Sequence, residues 1–300
     1  MKRIITVMND TGLKFELLFV NDGSNDNTLS VLKNFAAHDK RIRVIDFSRN
    51  FGKEAALTAL IDYALGDAVI ILDADLQHPP ELIPEMISKW HEGYEVVAAR
   101  RDRVSDSFFR KYTALTFYRF NKAVSQYDIP ENVGDFRLMD KCVVHALRNL
   151  RETQRFMKGL FVWAGFRTFY ISYKEGKRAA GESKFGFLSL WHLAVDAITS
   201  FTTFPLRVWS YIGGLTALGA FIYGIMIAAD TWLFGIDVPG YATIVCLILL
   251  FGGLQLLGIG IIGEYLGRTY MESKNRPVYI VRKVYGGDEG DENEKVESEC

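Results

Sequence analysis

Three hundred residues that are 49% apolar, 13% aromatic and 24% charged have a globular composition, enough for one large domain with additions. A formal net charge of −1 offers no general basic surface, and no nucleic-acid partner is expected. Cys142, Cys246 and Cys300 lack metal-ligand spacing, which excludes a cysteine-zinc framework and reads as free thiols in a reducing compartment.

The averages hide three unlike parts. Residues 1–200 mix polar and apolar segments, residues 208–229 and 241–263 carry no charge, and Gly286 to Cys300 is strongly acidic with a net −6. Against a total of −1, the body therefore carries +5, which suits anionic lipid head groups and phosphate ligands. The acidic end reads as a disordered, solvated tail. Lys2 and Arg3 precede too short an apolar stretch for a signal peptide.

Phe15 to Val20 reads as a strand running into Asn21-Asp22-Gly23-Ser24-Asn25-Asp26-Asn27-Thr28, a turn whose Asp26 or Asn27 can cap the following helix. Asp22, at a strand's carboxyl end beside a helix N-terminus, is a candidate nucleotide contact or else a turn residue satisfied by local backbone. Arg41 to Phe47 predicts the next strand. A loop containing Gly52 and Lys53 follows it, then an alanine-rich helix to about Leu65. Gly52 and Lys53 should sit above the sheet edge.

Val69-Ile70-Ile71-Leu72 predicts a buried strand that ends in Asp73-Ala74-Asp75-Leu76-Gln77. Were the chain extended there, Asp73, Asp75 and Gln77 would share one face, because side chains alternate with period two. Hard oxygen ligands of this kind suit Mg²⁺ or Mn²⁺. Pro79 and Pro80 fit the first turn of another helix, and Glu95 to Ala99 another strand. This alternation predicts a mostly parallel, three-layer α/β domain.

Residues 105–127 read as a helix rich in aromatics, interrupted by Arg110 and Lys111, suited to a core or to a membrane interface. Gly134-Asp135-Phe136-Arg137-Leu138-Met139 is a short extended piece that sets an acid beside a base. Residues 141–150 look helical, Arg155, Lys158 and Trp163 mark the next segment, and Phe166 to Tyr173 is a strand. The loop from Gly176 to Lys184 is basic and glycine-containing, either a mobile surface loop or one that closes on a phosphate. Residues 185–204 predict an amphipathic helix lying on a bilayer.

The two uncharged windows would each rise about 33 Å as helices, which matches a hydrocarbon core and predicts two spans. Their connector, Asp230 to Gly240, has no Lys or Arg, whereas Arg207, Arg268, Lys274 and Arg276 flank the pair. The positive flanks place the α/β domain and both termini in the cytoplasm. Glycines at 213, 214, 219, 252, 253, 258, 260 and 263 permit close helix packing, within the hairpin or in a homo-oligomer.

Taken together, Asn21-Asp22-Gly23-Ser24, Asp73-Ala74-Asp75-Leu76-Gln77, Gly134-Asp135-Phe136-Arg137-Leu138, Gly181-Glu182-Ser183-Lys184 and Gly263-Glu264-Tyr265-Leu266-Gly267-Arg268 resemble family 2 glycosyltransferases of the GT-A (Rossmann-like) fold. The closer resemblance is to the polyprenyl-phosphate type with two C-terminal spans, over about residues 13–285. It implies a cytoplasmic GT-A domain over 1–184, an interfacial helix over 185–204 and transmembrane helices over 205–229 and 241–266. A return segment over 267–285 and the tail over 286–300 complete the chain.

The resemblance further implies an inverting hexosyltransferase that needs Mg²⁺ or Mn²⁺. Its donor would be a nucleotide-diphospho-sugar, UDP-glucose-like first and GDP-mannose second, and its acceptor a polyprenyl phosphate. Asp22, Gly52, Lys53, Asp73 and Lys184 would bind the donor, with Asp73, Asp75 and Gln77 as metal ligands. Asp135 would be the catalytic carboxylate, and Arg110 and Arg137 would meet the acceptor phosphate. A phosphate nucleophile is already largely ionised at neutral pH, so Asp135 is expected to orient rather than abstract a proton. The family's opening strand and acidic turn have no counterpart here, since Met1 to Val7 resembles the second half of the helix that follows them. An exposed sheet edge and a thinner base pocket are therefore expected, with either a start lying upstream or an incomplete site. A noncatalytic membrane scaffold and a polysaccharide synthase are the alternatives, the latter lacking a Gln-x-x-Arg-Trp motif and further spans.

Overall fold

The computed structural model describes residues 1–74, 78–101, 130, 132–150, 152, 155–173, 204–234 and 240–287. The chain divides into two compact units. One contains the described residues up to Tyr173 and again from Arg276, and the other contains Phe204 to Asn275.

The first unit is built on two sheets. β1 (Leu17–Asn21) pairs in parallel with β2 (Ile42–Phe47), with Leu17 opposite Ile42 and Asn21 opposite Asp46. On its other side β2 pairs antiparallel with β7 (Val281–Tyr285). Ile42, Val44, Ile45 and Phe47 are all buried, the near-continuous burial of a central strand covered on both faces. The second sheet has the order β3-β5-β4-β6, from β3 (Ala68–Ile71), β4 (Val96–Arg101), β5 (Val133–Asp140) and β6 (Thr168–Tyr173).

Strand and helix alternate as the periodicity predicts, yet three of the five pairings are antiparallel: β2 with β7, β3 with β5, and β4 with β5. The expectation of a mostly parallel sheet holds for β1–β2 and β4–β6 only. Direction is lost where connections are long. A short βα unit forces a parallel return, whereas β5 follows an excursion of some thirty residues and β7 returns after the second unit, so either can enter reversed.

Among the described residues, six α-helices and one 3₁₀ turn accompany the sheets. α1 (Lys2–Asp10) and α2 (Thr28–His38) precede β2, and the Asp26 carboxylate accepts the Thr28 N–H at 2.9 Å to start α2. α3 (Lys53–Tyr63) packs on both β1 and β3. Pro80 opens a 3₁₀ turn that leads into α4 (Ile83–His91), whose Met86 enters a core with Val97, Phe136, Leu138 and Tyr173. α5 (Lys141–Asn149) starts at Asp140, whose side chain accepts from Cys142 N, and α6 (Met157–Trp163) precedes β6. Among the described strands, β1 and β3 are each hydrogen-bonded on one side only. Across that break α3 is the shared support.

The second unit is a pair of long helices, α7 (Phe204–Phe234) and α8 (Tyr241–Ser273). Gly258 takes the Trp209 indole against its backbone, where any Cβ would collide with Nε1. Both helices outrun the apolar windows. α8 continues past Gly263 through a Glu264–Arg268 pair at 3.0 Å, the i,i+4 spacing that supports a polar helical turn.

β7 lies within residues 267–285, where a return segment and no strand is expected from the sequence. Tyr279 just before it stacks on Phe47 (centroids 5.0 Å, 15° between planes), and its hydroxyl donates to Asp62 at 2.9 Å. Phe47→Ala should lower unfolding stability by about 3–5 kcal/mol, as for large core truncations. Tyr279→Phe should cost only about 1 kcal/mol, one hydrogen bond. Denaturant unfolding followed by tryptophan-independent circular dichroism checks both.

Candidate active site

The site is assembled by β5 running antiparallel to β3. Ile71 lies opposite Arg137, and continuing that register by two residues sets Asp135 opposite Asp73, just past the end of β3. Within β5, Phe136 and Leu138 are fully buried in the α4-side core, so the period-two alternation turns Asp135 and Arg137 to the other face.

The N-terminus of α3 meets that face. Gly52 has φ +96°, a left-handed conformation that glycine accepts without strain, and α3 starts at Lys53. The Lys53 ammonium lies 3.0 Å from Asp73 Oδ1 and 2.7 Å from Asp135 Oδ2. One cation thus joins carboxylates from two strands. The next residue, Glu54, accepts the Met157 N–H at 2.9 Å and so ties α6 to the same helix end.

Asp22 fixes the approach to α3. Its two oxygens accept the N–H groups of Phe51 at 2.6 Å and Gly52 at 2.9 Å. Gly23, at φ +65°, lies so close to this loop that a Cβ would be 2.5 Å from Asn50 N. The carboxylate is therefore satisfied by backbone, but by a loop about thirty residues away rather than by its own turn.

Electrostatics follow from this geometry. Burial acts to raise the Asp135 pKa, but the Lys53 hydrogen bond and charge, with Lys158 and Arg137 further off, outweigh it and hold the carboxyl below its usual range. Desolvation acts to lower the Lys53 pKa, and the two carboxylates reverse it, leaving the ammonium above the ordinary lysine value. Burial, aided by the Asp135 charge, raises Glu54. Arg137, wholly buried, is pushed down to about 10 by desolvation, against the pull of Asp135.

The stability contributed by Asp135 is present above the ordinary carboxylate pKa of about 4 and is lost as pH falls through its lower folded value. That contributed by Lys53 is present below about 10.4 and lost as pH rises through its higher folded value. Both groups are charged throughout the neutral range.

Of the residues singled out in the sequence, Lys53, Asp73 and Asp135 converge directly, Arg137 lies one alternation along β5, and Asp22 and Gly52 shape the loop beside them. Asp75, Gln77, Arg110 and Lys184 lie outside the described residues. Ala74, the last described residue before Asp75, is in a turn. His78 was not anticipated. It is buried, stacks on Phe136 (5.1 Å, 22°) and brings Nδ1 to 3.4 Å from Asp73 N. Its signal was position, directly after the acidic stretch. Glu54, an acid in a helix's first turn, was equally readable and equally overlooked.

Among the described residues no three His, Cys, Asp or Glu side chains converge as a metal cage. Asp73 nevertheless fits a hard cation. One ammonium against two carboxylates leaves net negative charge, and the partly exposed Asp73 oxygens already hold a cation at 3.0 Å.

Comparison with known proteins gives a consistent picture. Residues 2–148 match the model of the family described as Glycosyl transferase family 2. An uncharacterised glycosyltransferase of Synechocystis is 45% identical over 95% of this chain and 90% of its own length. A prophage bactoprenol glucosyl transferase homolog of Escherichia coli is 47% identical over 90% of this chain and 88% of its own. The bactoprenol glucosyl transferase of Shigella phage SfII is 48% identical over 91% and 88%.

Lys53→Met, which keeps the chain length but removes the charge, should raise the Asp135 carboxyl pKa, read by carboxyl ¹³C NMR titration. Gly23→Ala should displace the loop at Asn50 and weaken donor binding at least about tenfold, because both the contact and the left-handed backbone oppose a side chain. Calorimetric titration with a nucleoside diphosphate measures that loss.

Proposed function

The chain belongs to glycosyl transferase family 2, and from that premise we propose that it moves a hexose from a nucleotide-diphospho-sugar to the phosphate of a polyprenyl phosphate in a bilayer. A UDP-glucose-like donor is the first choice and GDP-mannose the second. The observation that carries the proposal is the convergence of Asp73, Lys53 and Asp135 at one strand end, in a chain 47–48% identical to proteins named for bactoprenol glucosyl transfer.

On this reading Asp73 takes the donor diphosphate side, with Asp75 and Gln77 completing the oxygen ligands. Mg²⁺ or Mn²⁺ bound there supplies charge neutralisation for the departing nucleoside diphosphate. Lys53 adds a second positive charge at the same place, and Lys184 from the basic loop meets the diphosphate. Asp22, through Phe51 and Gly52, holds the loop that walls the nucleotide.

Asp135 stays ionised. A phosphate monoester has a second pKa of about 6 and needs no strong base to attack. Asp135 therefore orients the acceptor and supports positive charge developing on the sugar, and direct displacement inverts the anomeric centre. Arg137, and Arg110 from outside the described residues, bind the acceptor phosphate.

Membrane placement is part of the proposal. Val208–Ile227 and Leu250–Ser273 are long and apolar enough to cross a bilayer, and their side chains face outward, Leu215, Phe221 and Leu256 among them, rather than into a core. Basic residues flank the pair and none lies in the connector, which supports a cytoplasmic catalytic unit with both termini on that side. The glycines along both helices support a homo-oligomer.

Full-length protein given radiolabelled UDP-glucose and a polyprenyl phosphate should produce labelled lipid that disappears with EDTA and returns with Mn²⁺ or Mg²⁺. Asp73→Asn should reduce the rate about 10²–10³-fold, the scale for losing one preorganised charge contact. No labelled lipid with either UDP-glucose or GDP-mannose would overturn the reading and leave the noncatalytic scaffold.

A further inference from the structure

A cavity of about 210 Å³ lies between α6 and the face of the sheet, lined by Arg137, Lys158, Phe161, Val162, Phe166 and Tyr170 among others. At about 30 Å³ per water it would hold several waters, or a phosphate with the first carbons of its ester. Two cations face into it.

Arg137 is the more unusual of the two. A guanidinium offers five N–H donors, and this one, 5% exposed, makes a single hydrogen bond among the described residues, from Nη2 to the Gly134 carbonyl at 2.7 Å. Its Nε is buried with no partner. The plane of charge lies over the Phe161 ring, 3.6 Å from the centroid, which fixes its orientation without using its donors. Buried arginine donors are ordinarily satisfied, so a well-held guanidinium with unused donors marks a place for an acceptor.

Lys158, exposed and in the first turn of α6, lines the same cavity, and no hydrogen bond or ion pair engages it among the described residues. Of the two acids whose charges act on Lys158, Asp135 gives its Oδ2 to Lys53 at 2.7 Å and Glu54 accepts the Met157 N–H at 2.9 Å. Both cations line one cavity, and among the described residues neither forms an ion pair with a carboxylate. Anions bound by two such groups gain charge-assisted hydrogen bonds from both, and a phosphate monoester has oxygens for each.

Position decides which phosphate. Asp73 lies beyond the end of β3 opposite Asp135, and the donor diphosphate is assigned to that side, whereas Arg137 lies level with Ala98 of β4 and Tyr170 of β6 on the other side of β5. The cavity that Arg137 and Lys158 line draws on β4, β5, β6 and α6 and not on β3, and Phe161, Val162 and Phe166 give it apolar walls that suit an isoprenoid ester rather than a nucleoside. We propose that Lys158 and the buried Arg137 form a two-cation seat for the acceptor's phosphate monoester, with its first carbons against Phe161, Val162 and Phe166. The proposal rests on the transferase reading for the identity of the lipid, and on the cavity for the seat itself.

The test uses full-length protein in nanodiscs and three probes: farnesyl phosphate, inorganic phosphate and uridine diphosphate, each titrated calorimetrically. Lys158→Met should weaken farnesyl phosphate and inorganic phosphate by roughly tenfold or more, the loss of one charge-assisted contact. It should leave uridine diphosphate unchanged, while Lys158→Arg recovers most of the affinity. In turnover, Lys158→Met should raise the acceptor KM and leave the donor KM alone. Lys158 is exposed, so the unfolding midpoint should match the parent and separate a binding defect from misfolding.

Unchanged farnesyl phosphate affinity in Lys158→Met, or a loss confined to uridine diphosphate, overturns the seat even where sugar transfer proceeds. Farnesyl phosphate binding that depends on Lys158 in a protein that transfers no sugar sustains the seat and overturns the transferase reading instead.

Discussion

Everything in the first unit turns on one ammonium group held between two carboxylates. Lys53 reaches Asp73 at 3.0 Å and Asp135 at 2.7 Å, and without it two acids from paired strands would face each other at the lip of the sheet. Like charges brought together repel, and that repulsion opposes folding unless a cation stands between them. Lys53 offsets that repulsion and holds the Asp135 carboxyl below its usual range, so Asp135 is a fixed negative charge at neutral pH.

The same helix end serves as the joint of the fold. Among the described strands the two sheets are not hydrogen-bonded to one another, with β1 and β3 each paired on one side, and α3 packs on both. Asp22 holds its entry through Phe51 and Gly52, Lys53 reaches β3 and β5, and Glu54 receives the N–H of Met157 at the start of α6. At the far end Arg148 donates to the carbonyls of Ile61 and Ala64, where a cation favours the negative end of the helix dipole. Structural support and the electrostatics of the candidate site are therefore one arrangement. A substitution at residues 51–54 would be felt in both.

Much of this is legible in the residues. The strand endings at Asp22 and Asp73, the helix after Lys53, the Asp135–Arg137 alternation and the two long apolar helices all follow from local periodicity, which needs no tertiary knowledge. The direction of β5 does not. Nothing between Asp102 and Asn132 states that the strand returns antiparallel, and only that reversal brings Asp135 opposite Asp73. β7 was hidden for a similar reason: Val281 to Tyr285 has the β-branched and aromatic content of a strand, but its partner β2 lies over 230 residues earlier. Lys158 was visible as a base and not as a site residue, because a lysine in a short helix gains meaning only from the cavity it borders.

The central claim is that Asp135 acts as a permanently ionised positioning group and not as a base. The pH profile of sugar transfer by Asp135→Asn, set beside that of the parent protein from about pH 6 to 9, addresses it directly. A loss of the same factor at every pH agrees with positioning and with the low Asp135 pKa enforced by Lys53. A loss that changes with pH, removing an ionisation limb present in the parent, would show that Asp135 takes the proton and would contradict the account.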